Sequence, residues 1–258
     1  MKERLLFVLA AVLIAGSWQV STVFGEGQDE VWFDFLKKDQ EEENEQQDDE
    51  KDKDVHKHEA WIKYKAKELG IETEGKELGD LAKEVKQAKL LKKAEELGVE
   101  TEGKDLKQLA KDIHHAKVLQ EAEELGVETE GKEPEELAEE VMDVKLQKKA
   151  EELGIDTEGK YKEDLLKEVQ MAILEKEAET YNVDTDGKKH HEIIMDIHEA
   201  KIYDSAEKLG METEGKKPQE ILNEIFEEYA DEAKELQIFP FEDNKDKFYL
   251  QHYMKEHD

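Results

Sequence analysis

Six short loops carry the residues best suited to chemistry. Each reads acid-Thr-acid-Gly-Lys; the first is Glu72-Thr73-Glu74-Gly75-Lys76 and the fifth Asp184-Thr185-Asp186-Gly187-Lys188. Paired carboxylates on a glycine-bearing turn are ligands for a hard cation such as Ca2+. Asn182-x-Asp184-x-Asp186-Gly187 matches the opening of an EF-hand loop, but Ile193 stands at the twelfth position, where the bidentate Glu belongs. The other copies open on glycine. Weak Ca2+ binding by Glu72, Glu74, Asp184 and Asp186 is therefore one expectation, with affinity in the roughly millimolar range of extracellular sites. No other cofactor is implied. Each loop element also has a structural use: Thr bonds nearby backbone, Gly supplies a left-handed turn residue, and acids ahead of a helix meet the positive end of its dipole.

Other chemistry is thinly supplied. The only Arg is Arg4, Ser205 is the only Ser beyond the first 25 residues, and Cys is absent. A chain so composed lacks most nucleophiles and the best phosphate clamp, so no enzyme and no catalytic residue is expected. The histidines include His114-His115, His190-His191 and His198, none spaced i, i+4 as a helical zinc pair requires. Carboxylates are everywhere, so none stands out as a general acid or base.

The elements that must position the loops follow from a period. Leu-Gly recurs at Leu69-Gly70, Leu97-Gly98, Leu125-Gly126, Leu153-Gly154 and Leu209-Gly210, and Tyr181-Asn182 fills the gap, so that the spacing is 28 residues throughout. A fixed period of this length marks a repeat architecture. Glycine at a helix end takes the left-handed conformation, and asparagine is the residue best able to replace it. Eleven and 15 residues after each glycine stand apolar residues, such as Leu81 and Val85 or Leu137 and Val141; Leu90 and Ala94 continue the series at 20 and 24. This spacing makes one apolar stripe on a helix of roughly 20 residues, about 30 Å long. Pro134 and Pro218 suit first helical positions.

The run Leu69-Gly70-Ile71-x-Thr73-x-Gly75-Lys76, followed by Asp80-Leu81 and Val85, resembles the helix–extended loop–helix motif shared by the SAP, LEM and Rho N-terminal modules. The resemblance covers about residues 60–237, with the second helix of one copy running on as the first of the next. It implies the fold, and it raises nucleic-acid binding, which several such modules perform. This chain departs from that use. Phosphate recognition rests on cations and base-edge reading on Arg, whereas the net charge is −32. The recurring Lys76, Lys104, Lys132, Lys160, Lys188 and Lys216 each follow two acids.

Flanking segments complete the organisation. Residues 1–25 have the basic start, the apolar run Leu5–Gly16 and the small residues of a secretory signal peptide. That run is shorter than the 20 or so residues that span a bilayer, so export without stable membrane insertion is expected. Residues 26–38 hold the aromatic cluster Trp32, Phe33, Phe35 and Leu36, a candidate partner-docking segment. Residues 39–55 form an acidic tract expected to be a solvated linker. The expectation is an all-α, elongated array of six 28-residue repeats over residues 56–226, ended by an atypical cap at 227–258. The leading function is a secreted, extracellular scaffold or protein-binding module whose partner is an unidentified, basic protein. Divalent-cation binding and nucleic-acid binding are the alternatives.

Overall fold

The computed structural model describes residues 58–243. Residues 1–57, which hold the expected signal peptide, Trp32, Phe33, Phe35 and Leu36 and the expected linker, and residues 244–258 lie outside the described residues. Among the described residues there are eight helices and no strand. They are α1 (Glu59–Glu68), α2 (Leu78–Leu97), α3 (Leu106–Leu125), α4 (Pro134–Glu152), α5 (Lys162–Thr180), α6 (His190–Lys208), α7 (Pro218–Glu228) and α8 (Ala230–Glu235).

The helix ends show why glycine recurs. Gly98 has φ +66°, its N–H donates to Glu95 O at 3.2 Å, and the Val99 N–H donates to Ala94 O at 2.8 Å. These are the two bonds of a Schellman motif, which satisfies carbonyls that the helix leaves unpaired. The same pair of bonds closes α5, with Asn182 at φ 53° in the glycine's place and Val183 N–H donating to Ala178 O at 2.8 Å. Helix starts are equally local. Pro134 and Pro218 are the first residues of α4 and α7. Asp105 caps α3 reciprocally with Gln108, its Oδ1 accepting from the Gln108 N–H at 2.8 Å.

The apolar positions read from the sequence are all buried, but they do not make one continuous seam. Each long helix is divided between two cores. The C-terminal half of α2, with Leu90 and Ala94, packs on Leu109 and Ile113 of α3. The other half of α3, with Val118 and Ala122, packs on Leu137 and Val141 of α4. Leu146 and Ala150 then meet Leu165 and Val169, and Leu174 and Ala178 meet Ile193 and Ile197. The chain is thus a string of helix–loop–helix corners sharing their helices.

The expectation of an elongated array is corrected by the fifth and largest core. It joins Ile62 and Ala66 of α1 and Leu81 and Val85 of α2 to Ile202 and Ala206 of α6, Ile221 and Ile225 of α7, and Ala233 of α8. Helix α1 packs directly against α7. The two ends of the helical series therefore cover one another, and the series closes on itself. The rotation between successive corners accumulates until first and last meet, which no single corner's sequence reveals. Aromatic side chains fill the joint. Tyr64 lies 5.8 Å from Phe226 and 5.4 Å from Phe241, and Phe226 lies 5.7 Å from Phe241, centroid to centroid. Lys234 of α8 pairs with Glu68 of α1.

The helical pattern changes after residue 228. Helix α7 stops at Glu228, and α8 begins again at Ala230. The Schellman bonds then recur one residue early, with Gln237 at φ 52° and the Ile238 N–H donating to Ala233 O at 3.1 Å. Ala233, not Lys234, takes the buried alanine position.

Candidate functional site

All twelve loop acids are exposed. The backbone between them folds as a tight turn: the Lys188 N–H donates to Thr185 O at 3.3 Å, across Gly187 at φ 70°. Positive φ at the third of four residues is the type II arrangement, which favours glycine there. Asp184 Oδ1 accepts the Asp186 N–H at 3.1 Å, and Asp156 does the same with Glu158 at 3.1 Å. One oxygen of the first acid is thereby used to shape its own loop, as Asx turns do. Glu72, Glu74, Asp184 and Asp186 stay on two separate loops. Among the described residues no group of three or more His, Asp or Glu side chains is gathered so as to hold a metal ion.

The recurring loop lysine has a partner that the sequence reading missed. Lys104 reaches Asp112 at 2.5 Å and Lys188 reaches Asp196 at 2.7 Å. Lys76, Lys132, Lys160 and Lys216 pair in the same way with Glu84, Glu140, Glu168 and Glu224. In every copy the partner lies eight residues on, one turn above the first buried residue of the next helix. The signal was present as an acid at that position in all six copies. The hydrogen bond to Asp196 raises the Lys188 pKa, and the bond to Glu224 does the same for Lys216. Both lysines stay charged and turned toward their helix.

A second feature lies between α5, α6 and the segment after α8. Lys201, 6% exposed, donates to Glu177 and to Glu242, each at 3.0 Å, and its Nζ lies 5.5 Å from the Tyr181 ring. Burial works against its charge, but Glu242 and Glu177 together outweigh it and raise its pKa. Tyr181 is raised chiefly by burial. These groups line an open cleft of about 210 Å³ with Ile173, Thr180 and Asp243. A lysine held protonated by two carboxylates is a poor nucleophile; here it is an electrostatic strut that ties Glu242 to two helices. Such a bridge was not legible from composition, because its three members are 24 and 41 residues apart.

His114 and His198 are exposed, and His198 packs edge-on to Phe239 at 4.8 Å. Comparisons with protein-family models, with curated proteins and with solved structures find no match to this chain.

Proposed function

We propose that the chain is a secreted, non-enzymatic acidic repeat protein that acts as an extracellular scaffold or binding module for a basic protein partner. It is built of six 28-residue repeats of the helix–extended loop–helix kind, with residues from 227 onward as the cap. One observation carries the reading. Each loop lysine is engaged by an acid on its own following helix, while both loop acids remain exposed. Each loop therefore offers solvent two carboxylates on a short segment, closed in four of the six by a Lys N–H to Thr carbonyl bond, a surface complementary to cationic side chains and repulsive to nucleic acid. No described helix is long and apolar enough to cross a membrane.

The test uses the full mature chain and a fluorescent oligolysine peptide. Changing the twelve loop acids to Asn or Gln is expected to weaken binding at least tenfold and flatten its salt dependence. Neutralising twelve exposed helical acids instead is expected to do much less. Equal losses from the two variants would remove the loops as the docking surface. Mass spectrometry of the culture medium tests export, the expected terminus being Glu26; an intact Met1 inside the cell would overturn it.

A further inference from the structure

The joint that closes the helical series brings together elements from opposite ends of the described chain, and its two faces differ. One is α1 with the start of α2; the other is the end of α6 with α7 and α8. We propose that this joint is exchangeable, so that a second copy of the chain can supply it. Two molecules open, and α1 of each closes against α7 and α8 of the other.

Two observations support this. First, none of the four smaller cores contains a residue of α1, α7 or α8. Opening the joint leaves them whole, which makes it a partial unfolding event rather than a global one. Second, the contacts at the joint are non-covalent and chemically distinct on each face: Tyr64 and Glu68 on one side, Phe226, Lys234 and Phe241 on the other. Because the faces differ, two copies satisfy both joints reciprocally without any new surface, which is the geometry of domain swapping. The net charge of −32 per chain opposes the association of two copies, so exchange is favoured by salt that screens it. Within one molecule the tether supplies an effective concentration on the order of millimolar. Exchange therefore requires protein near that concentration, or passage through an opened state.

The absence of Cys gives a direct test with full-length chains. Glu68 and Lys234 lie at the rim of the joint, their side chains 22% and 34% exposed, so single replacements there spare the core. The variants E68C and K234C are unfolded together, refolded at ~1 mM, in the range of that effective concentration, and treated with a short bis-maleimide. The expected product is a covalent pair with one chain of each kind, absent when refolding is done at ~1 µM, far below it. The unaltered chain, refolded at the higher concentration, is expected to sediment as a dimer. Helical variants that give no mixed pair would overturn the proposal. So would pairs of E68C with itself as abundant as mixed pairs, or an unaltered chain that stays monomeric.

Discussion

Asn182 occupies with φ 53° the position that glycine holds at five other helix ends. Left-handed backbone costs a residue with a Cβ about 1 kcal/mol relative to glycine, somewhat less for asparagine. Asn182→Gly is therefore expected to raise stability by a few tenths of a kcal/mol, and Gly126→Ala, at φ 73°, to lower it by about 1 kcal/mol. No atom lies within 4 Å of a Cβ built at Gly126, so strain, not collision, is the cause; urea denaturation that ranks the two changes otherwise would refute it. Ser205 is fully buried, and its hydroxyl has no hydrogen-bond partner. Ser205→Ala is expected to be neutral or to stabilise by up to about 1 kcal/mol. Val141, buried between α3 and α4, is the opposite case. Val141→Asp is expected to cost roughly 3 kcal/mol or more, because an unpaired carboxylate is forced out of water; a change in melting temperature near zero would misplace the core. These residue-level features were the most legible part of the chain. Glycine, asparagine and alanine at helix ends answer to local backbone geometry, which sequence spacing records directly.

At the scale of the helices, the pairing of neighbours is set by which half of each helix is apolar. The positions were readable; their division between two cores was not, because a stripe of period 3.6 is the same for one long seam and two short ones. Polar contacts between helices were less legible. Lys145 reaches Glu121 at 3.0 Å, and Lys201 reaches Glu177 at the same distance, both across 24 residues. Ion pairs of this kind need the packed geometry before they can be seen. Lys201→Met is expected to destabilise by roughly 2 to 4 kcal/mol, since it removes the buried cation that both Glu177 and Glu242 accept from; a loss below about 0.5 kcal/mol would make the bridge ornamental. The pH dependence separates the charge from the packing. The Lys201 pKa is raised from 10.5, so its contribution is complete below that value and lost as pH climbs through the folded one. The unaltered protein is expected to lose more stability above pH 10.5 than Lys201→Met does. At the acid end, desolvation opposes the charge of Glu68, yet Lys234 and Lys65 hold its pKa below 4.5. Its contribution is present above 4.5 and lost as pH falls through the lower folded value. Glu68→Gln is expected to reduce the acid-side slope in a pH series of denaturation curves.

The closure belongs to the whole molecule, and the sequence held a trace of it. Tyr64 stands where the inner copies have Lys92, Gln120, Lys148, Lys176 and Asp204, and Phe226 where they have Lys86, His114, Met142, Gln170 and His198. Aromatic residues in the first and last copies, at positions that are polar in every inner copy except for Met142, mean extra burial there. They do not say that the two burials are the same one, because the turn from corner to corner is set by packing angles that add over the series. Closure also changes what a deletion does. In an open array, removing an inner repeat subtracts one increment of stability and leaves the ends as they were. In a closed one, it also changes the angle and distance at which α1 meets α7. Deleting residues 99–126 joins Gly98 to Val127 and preserves the 28-residue phase, so each remaining corner retains its own apolar set. The shortened chain is expected to stay helical by circular dichroism. Its melting temperature should fall by more than the share of one corner. Crosslinking between cysteines introduced at positions 68 and 234 of the same chain should drop to background at low concentration. Undiminished crosslinking in the shortened chain would mean that the joint tolerates any number of corners, and that the angles between them do not determine whether the ends meet.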